Sequence, residues 1–382
     1  MSRTFSVVNN PSLSDSKRAS SPRAIETGDA LALLTDRQFH VAGDLILHSL
    51  PYVDPYAGGC FLTGKYATKR MTKLRPDHPS VPMVVEPAAI RNTYATEDAP
   101  FQISVDEDEL FEPTLDFSLD LRRLDGGDLV MSPTGQIRAG DSAALKKALK
   151  MINELDRTDL LFTLPMQAGW LSVEHLTTQL IQVINRSRHP VALTFTDPTN
   201  PIASKKRLRA YRRVFEETTG TVLAYRTDLA GMDARAHGAI ASAIGAYPSV
   251  RRLNPVGSGG RAIDPEDLSP HMLVGDMLRF VRSTHMRRVW FADADPFECL
   301  CGICRGEAID RLHGPEDRTE GHLHNMLELG RLHATTLGLT PGDLLTSWKS
   351  KVRDAVDTYP QLATHIGAPV KMPVDLTFWA GL

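Results

Sequence analysis

The chain has 382 residues, of which 42% are hydrophobic and 23% are charged, a composition typical of a soluble globular protein with a sizeable core. Its net charge of −3 gives no overall electrostatic reason to bind nucleic acid, so such a function would have to depend on local basic patches. The longest apolar runs have the length of strands, well short of the roughly 20 residues that a membrane-spanning helix needs. The amino-terminal segment lacks the apolar stretch of a secretory signal, and we therefore expect a cytoplasmic protein.

The composition changes along the chain in a way that suggests three parts. Residues 1–25 are rich in Ser, Asn and Arg and poor in apolar residues, which predicts a disordered tail. Residues 26–298 are interpreted as an α/β barrel in which residues 44–50 and 82–86 form early strands. Residues 100–140, which include the acidic run 106–109, are interpreted as an inserted antiparallel segment. Residues 299–382 are expected to form a zinc-binding helical subdomain and a C-terminal tail.

Strand-length apolar runs alternate with helical periodicity between residues 157 and 295. Strands are expected at 159–166, 190–196, 221–225, 250–253 and 288–291, and helices at 172–186, 204–217, 234–246 and 272–283. This alternation is typical of a parallel sheet with helical crossovers. With the earlier segments there are seven or eight strands, the number that closes a (β/α)8 TIM-like barrel. An open doubly wound sheet is the competing fold, but no glycine-rich dinucleotide fingerprint or P-loop follows any of these strands.

Three of the four cysteines lie within six residues, as Cys299, Cys301 and Cys304, whereas Cys60 stands alone. Clustered thiols in a reducing compartment indicate metal ligands rather than a disulfide framework. Three thiolates and one imidazole complete tetrahedral zinc with no open position, which is a structural site. Free buried cysteines are one alternative. An iron–sulfur cluster is another, although it normally requires a fourth cysteine.

Four histidines downstream of the cysteines are candidates for the fourth ligand. They are His313, His322, His324 and His333. A helix between residues 305 and 313 would place His313 at its end, and His322 and His324 would lie at the start of the next helix. Because His322 and His324 are two residues apart, they cannot share one face of a helix, and at most one of them binds the metal.

The C-x-C-x-x-C triplet followed by a helix that begins with His324-Asn325 resembles the zinc site of the tRNA-guanine transglycosylase superfamily, whose members include queuine- and archaeosine-type enzymes and a DNA-modifying 7-deazaguanine branch. The resemblance implies His324 as the fourth zinc ligand and a (β/α)8 barrel before the triplet. It also implies base exchange, in which guanine is replaced by a 7-deazaguanine in tRNA or DNA. In that reaction an aspartate attacks the ribose C1′, a second aspartate handles protons, and the zinc holds a subdomain that contacts the nucleic acid.

Two motifs of that family, D-S-G-G-F-Q and F-D-C-x-x-P-T-R, are absent from this chain. A carboxylate nucleophile is nevertheless expected at the carboxyl ends of barrel strands, where it could form a glycosyl ester. Four aspartates follow predicted strands: Asp197, Asp228, Asp293 and Asp295. Each could instead belong to an ordinary turn or cap. If none is catalytic, the alternative function is a non-catalytic zinc-containing barrel that binds nucleic acid or a catalytic partner.

The candidate substrate-binding residues fall into three groups. A base-binding loop is predicted from Asp54, Gly58, Gly59 and Phe61, the closest approach to the missing glycine motif, and a simple turn is its alternative. Gln167 follows a predicted strand and could bond a purine edge. Lys205 and Arg209 belong to a run with six basic residues in nine, a pattern compatible with phosphate binding or with an ordinary solvated helix. The expected partners are tRNA or DNA and a 7-deazaguanine base, and a homodimer or a partner subunit is compatible with the sequence.

Overall fold

A sheet of eight parallel strands forms the centre of the protein in the computed structural model, which describes residues 28–103, 113–258 and 267–382. Its strand order is β3-β2-β1-β8-β7-β6-β5-β4. The strands are β1 Gln38–Ala42, β2 Gly58–Leu62, β3 Met83–Val85, β4 Val130–Met131, β5 Leu160–Gln167, β6 Val191–Thr196, β7 Val222–Thr227 and β8 Ala241–Gly245.

The two ends of this sheet meet at β3 and β4. Val84 and Leu129 form a parallel bridge, and the backbone N–H of Asp128 donates to the carbonyl of Met83 at 2.9 Å. The strands therefore form a nearly closed barrel with surrounding helices, which confirms the prediction of a TIM-like α/β fold. We call the carboxyl ends of the eight strands the barrel mouth.

Apolar side chains fill the interior of the barrel. The ring of Phe61 contacts Phe39 and Tyr225 with centroid distances of 5.2 and 4.8 Å. Gly59 is needed beside this cluster, because a Cβ there would lie 2.5 Å from the ring of Phe39. Helix α1 (Ala30–Leu34) contributes further buried side chains to the same cluster, and the carboxylate of Asp29 caps its first turn.

The described ranges contain thirteen α-helices, and most of them surround the barrel. After α1 they are α2 Ile46–Ser49, α3 Ala67–Leu74, α4 Ala89–Asn92, α5 Leu115–Leu124, α6 Ser142–Asn153, α7 Glu174–Asn185, α8 Lys205–Glu217, α9 Ala230–Ala236, α10 Ser283–His285, α11 Arg318–Ala334, α12 Pro341–Ile366 and α13 Val374–Trp379. No helix among these residues is long and apolar enough to cross a membrane.

The middle of the barrel follows the sequence interpretation closely. Strands β3, β5, β6 and β7 and helices α7 and α8 lie where they were expected. Both helices bury an amphipathic face, and in α8 the buried positions are spaced three or four residues apart. These positions are Leu208, Tyr211, Val214 and Phe215.

Three barrel strands differ from the prediction. Residues 44–50 contain helix α2 instead of a strand, and β1 precedes them. Residues 58–62, interpreted as a loop, are β2. The predicted helix at 234–246 is wrong, since α9 ends at Ala236 and residues 241–245 (ASAIG) form β8 between β1 and β7. Small residues favour helix locally, but pairing with strands on both sides decides the structure here.

The insertion predicted near 100–140 is also corrected. Its described part contains α5 and β4, and β4 is a parallel barrel strand paired with β5. One antiparallel bridge, between Phe101 and Thr134, is the part that agrees with the prediction. The acidic run 106–109 and the predicted tail 1–25 lie outside the described residues.

The segment after β8 differs most from the sequence interpretation. Residues 250–253 contribute one bridge, between Thr196 and Leu253, instead of a strand. The predicted helix at 272–283 is an antiparallel hairpin of β9 (His271–Val274) and β10 (Arg279–Arg282). The predicted strand at 288–291 is part of a π-helix, Met286–Trp290. The predicted helix at 305–313 is replaced by a short ribbon of β11 (Glu298–Cys299) and β12 (Glu307–Ala308).

Candidate metal centre and barrel mouth

Cys299 ends strand β11, and Cys301 and Cys304 lie on the tight turn that joins β11 to β12. Backbone hydrogen bonds shape this turn, from Arg305 N–H to the Cys301 carbonyl at 2.8 Å and from Gly306 N–H to the Cys299 carbonyl at 2.9 Å. Arg305 and Gly306 both have positive φ, 54° and 91°. The backbone N–H of Cys304 points at the sulfur of Cys301 at 3.3 Å. The turn therefore directs three sulfur atoms toward one point.

His324 completes this group from helix α11. Its Nδ1 lies 3.5 Å from the sulfur of Cys299 and 3.4 Å from the sulfurs of Cys301 and Cys304. All four ligand atoms lie within 4.8 Å of one another. In a tetrahedral zinc site with bonds of about 2.3 Å to sulfur and 2.0–2.1 Å to nitrogen, the sulfur–nitrogen edge is about 3.5 Å. The group can hold a metal ion, and its spacing matches that geometry.

A hydrogen bond to strand β9 holds the second ring nitrogen of His324, Nε2, in place. Its Nε2 donates to the carbonyl of Leu273 in β9 at 3.0 Å, which leaves Nδ1 free to bind a metal. The next residue, Asn325, accepts from the backbone N–H of Leu273 at 2.6 Å and donates to the carbonyls of Ala246 and His271 at 2.8 and 2.6 Å. The His-Asn pair thus joins the metal group to the hairpin and to the end of β8.

The other three candidate histidines face elsewhere. His322 is 1% exposed, its ring meets Tyr247 edge-on at 5.4 Å, and neither ring nitrogen has a hydrogen-bond partner among the described residues. His313 is exposed, with Nδ1 2.6 Å from the carbonyl of Arg311. His333 accepts from Arg235 at 2.5 Å. Among the histidines of the described chain, only His324 joins the cysteines.

Contacts within the group shift the pKa values of two of its members in opposite directions. Hydrogen bonds from Cys299 and Cys304 hold the pKa of Cys301 well below its ordinary value. Burial acts to lower the pKa of His324, but hydrogen bonds with Cys301 and Cys304 outweigh it and raise the pKa to about 10. These directions favour a thiolate beside an imidazolium, so a metal bound through Nδ1 of His324 would displace the proton of the imidazolium.

A buried polar network occupies the barrel mouth. The carboxylate of Glu86, which follows β3, accepts from Arg226 Nη1 at 2.7 Å, from the hydroxyl of Tyr225 at 2.5 Å and from the hydroxyl of Thr63. Arg91 adds an ion pair at 3.1 Å. The side chains of Glu86 and Arg226 are only 0% and 5% exposed, so this is a fully desolvated pair.

The backbone at Arg226 explains how its side chain reaches the network. Arg226 has a φ of 50° and lies at a register irregularity in the pairing of β7 with β8, between Tyr225 and Thr227. This left-handed conformation is costly for a residue with a side chain and persists only where the surroundings hold it. Here Arg226 Nη2 donates to the carbonyls of Ser249 and Arg252 at 3.0 and 3.2 Å. Sequence reasoning missed the pair, although a charged residue at the end of an apolar strand run was a visible signal at both positions.

The four candidate aspartates are not brought together. Asp197, at the end of β6, accepts from Thr199 N–H and from Arg207, both at 2.9 Å. Burial opposes ionisation of Asp197, but the hydrogen bonds from Thr199 and Arg207 outweigh it and lower its pKa. Asp293 and Asp295 are exposed on the loop before β11, beside His365 in a shallow depression.

Asp228, at the end of β7, is half-buried and accepts from the backbone N–H of Ala230 at 3.0 Å. It lies near Asp375 of α13. Burial and the charge of Asp228 raise the pKa of Asp375 to about 6. Asp228 therefore has a second carboxylate, that of Asp375, as an electrostatic neighbour.

The predicted substrate-binding residues are spread over the molecule. Asp54 caps a turn before β2, with its carboxylate accepting from Tyr56 N–H at 2.8 Å, so it lies at the amino end of the strands, opposite the mouth. Gly58, Gly59 and Phe61 are buried strand residues. Gln167 uses its side-chain oxygen to accept from Ala139 N–H at 3.0 Å.

The basic run on α8 divides into engaged and free side chains. Arg207, Arg212 and Arg213 pair with Asp197, Asp233 and Glu217. Three exposed cations remain near the start of the helix without a carboxylate partner in the described structure. They are Lys205, which contacts the main-chain oxygen of Leu382, Lys206 and Arg209.

No family model and no curated protein matches this chain. Among solved structures, the carboxyl transferase domain of pyruvate carboxylase from Rhizobium etli, determined with 3-hydroxypyruvate, is similar over 90% of this chain, with 10% sequence identity and a TM-score of 0.35. The similarity spans 59% of that chain, less than two thirds of its length.

Proposed function

We propose that the protein is a transglycosylase-like barrel with one structural zinc ion, and that it binds tRNA or DNA without exchanging a base. The observation that carries this proposal is the state of the barrel mouth. Asp197 there is paired with Arg207, and Asp228 caps a turn. Asp293 and Asp295 share a shallow depression on an exposed loop instead. Glu86 and Arg226, which lie at the carboxyl ends of β3 and β7, are buried and neutralise each other.

Zinc is the metal that this donor set fits best. Three thiolates and one imidazole leave no coordination position for a substrate or water, so the ion would hold the fold and perform no chemistry. Its place supports that role, because His324 and Asn325 connect α11 to β9 and to the end of β8. The zinc would therefore fix the segment after β8 against the barrel.

The free cations of α8 are the proposed contact with nucleic-acid phosphates. Helix α8 begins shortly after β6 ends, so Lys205, Lys206 and Arg209 lie on the mouth side of the barrel. Their neighbours in the run are already paired with carboxylates, which leaves Lys206 and Arg209 available for phosphate oxygens. Lys205 would exchange its contact with Leu382 for one with phosphate. Binding of this kind is insensitive to sequence and sensitive to salt.

The test is the salt dependence of binding to fluorescently labelled tRNA and duplex DNA. Replacing Lys205, Lys206 and Arg209 together by Gln should weaken binding and reduce the slope of log K against log salt by about 2–3, since each lost phosphate contact on duplex DNA contributes roughly 0.9. The matched control replaces Lys146, Lys147 and Lys150 by Gln, three exposed lysines on α6 that carry the same total charge. Equal losses in the two triple variants would contradict a specific role for α8.

A second assay separates binding from catalysis. The wild-type protein should incorporate no labelled guanine or 7-deazaguanine base into tRNA or DNA under conditions where it binds them. Incorporation by the wild type would show that the non-catalytic proposal is wrong.

Base exchange of guanine for a 7-deazaguanine is the second candidate, because Asp228 at the end of β7 has Asp375 as an electrostatic neighbour, and burial and the charge of Asp228 raise the pKa of Asp375 to about 6. In such pairs the ionised member can act as nucleophile while the other manages the proton. On this proposal Asp228 would attack the ribose C1′ with departure of guanine, and Asp228→Asn would abolish incorporation. Activity that survives Asp228→Asn would exclude this residue as the nucleophile.

A further inference from the structure

A cleft on the outside of the barrel lies between helices α9, α11 and α12. Its wall includes Met232, Arg235, Thr336, Ser347, Trp348 and Lys351. The space open to the centre of a water molecule is about 20 Å³, within about 350 Å³ of empty volume that includes its open side. One water needs roughly 10–15 Å³ on the first measure, so the cleft has room for a small ligand only.

Arg235 is the main charge in this cleft. It is 5% exposed, and its Nε has no hydrogen-bond partner among the described residues. Its Nη1 donates to His333, a neutral ring that supplies no negative charge, and its nearest carboxylate oxygen belongs to Asp36 at 3.7 Å. Because the side chain of Asp36 is 55% exposed, water screens most of that attraction. A buried guanidinium is thus left with incomplete compensation.

The other nearby acid is already engaged. Asp233, on the same helix, accepts from Arg212 at 2.8 Å and from the indole N–H of Trp348 at 2.9 Å. Asp36 itself lies just before β1, so this end of the cleft is toward the amino ends of the strands and away from the barrel mouth. The cleft is therefore separate from both the metal group and the network of Glu86.

A second cation and a free hydroxyl face the same space. Lys351 lies 3.5 Å from Asp276, which is shared with Arg331 at 3.2 Å, so its attachment there is weak. The hydroxyl of Ser347 has no hydrogen-bond partner among the described residues, and no carboxylate belongs to the wall of the cleft. Two cations and a hydroxyl donor around a small space without acids favour an anion with several acceptor oxygens.

We propose that this cleft binds a small tetrahedral oxyanion, such as phosphate or sulfate, with Arg235 and Lys351 neutralising its charge and Ser347 donating a hydrogen bond. The anion would supply the negative charge that Arg235 otherwise lacks at close range. This inference is independent of the proposed function, because it concerns a different end of the barrel and needs neither zinc nor nucleic acid.

The experiment measures binding of inorganic phosphate to the full-length zinc-loaded protein by thermal shift and by calorimetric titration, with chloride used to keep the ionic strength constant. Phosphate should raise the melting temperature in a saturable way, since a ligand bound only to the folded state stabilises it. Arg235→Gln and Lys351→Gln should each weaken phosphate binding by about tenfold, the effect of losing one charge-assisted contact. Lys349→Gln, at an exposed position of the same helix, is the matched control and should bind as the wild type does.

Two further measurements test the proposal independently of Arg235→Gln. Ser347→Leu fills the cleft without changing its charge, so it should abolish phosphate binding even if Arg235→Gln does not fold. A 5′-phosphorylated dinucleotide compared with its unphosphorylated form distinguishes a terminal phosphate on a larger molecule from free phosphate, and the narrow cleft predicts that only the free anion binds. The proposal is overturned if phosphate stabilises no more than chloride does, or if Lys351→Gln and Ser347→Leu retain wild-type affinity.

Discussion

Replacing Glu86 by Leu should destabilise the protein strongly, because it leaves the guanidinium of Arg226 buried without its carboxylate. The two side chains are 0% and 5% exposed, so water cannot replace the lost partner. Removing one member of a buried ion pair typically costs about 3–5 kcal/mol. The hydroxyls of Tyr225 and Thr63 lose their acceptor in the same change, which places the expected loss toward the upper end of that range.

The double variant Glu86→Leu/Arg226→Met tests the cause of that loss. It removes both charges and leaves apolar groups of similar volume, a replacement that is often close to neutral in buried pairs. We therefore expect the double variant to be more stable than Glu86→Leu alone by about 2 kcal/mol or more.

The assay is urea unfolding followed by tryptophan fluorescence, with zinc present throughout. Arg213→Met is the control, because Arg213 pairs with Glu217 on the surface, and its loss should cost at most about 1 kcal/mol. If the double variant is as unstable as Glu86→Leu, or if Glu86→Leu costs no more than the control, the network does not stabilise the barrel mouth as a buried pair.

Three other predictions concern the metal group and its surroundings. Asn325→Ala should lower the free energy of unfolding, measured in urea, by about 2–4 kcal/mol, because three buried backbone groups lose their hydrogen-bond partner. A smaller loss would show that these backbone groups find other partners. His324→Ala should remove the bound metal, measured as zinc per chain by mass spectrometry, whereas His322→Ala should retain it. The reverse pattern would show that His322, and not His324, is the fourth ligand. His40 is buried, and burial lowers its pKa to about 4, below the roughly 6.5 of an unfolded chain. Between pH 6.5 and pH 4 only the unfolded chain takes up the proton of His40. The contribution of His40 to folding stability should therefore be complete above pH 6.5 and decrease toward pH 4. The melting temperature of His40→Leu should fall less steeply over this range than that of the wild type.

The metal group was predictable because its information is local. Cys299, Cys301 and Cys304 are close in sequence, and a turn is enough to bring their sulfurs together. The choice among four histidines was harder, since His322 and His324 differ only in which face of α11 they occupy. The resemblance to a His-Asn helix start selected His324, and the structure places that residue with the cysteines.

Other features depended on contacts that are distant in sequence. The segment ASAIG becomes β8 because β1 and β7 pair with it on both sides, not because of its own propensity. The segment 272–283 has apolar residues at helical spacing, yet β9 and β10 pair with each other, and Asn325 binds the backbone of β9. The charge of Glu86 at the end of an apolar run was visible in the sequence, but its pairing with Arg226 was not, since the two residues are 140 positions apart.

X-ray absorption spectroscopy at the zinc edge tests the central claim of this account most directly. A single site formed by Cys299, Cys301, Cys304 and His324 predicts one zinc per chain with three sulfur neighbours at about 2.3 Å and one nitrogen neighbour at about 2.0–2.1 Å. A first shell with fewer than three sulfurs, or with an additional water oxygen, would contradict a closed structural site.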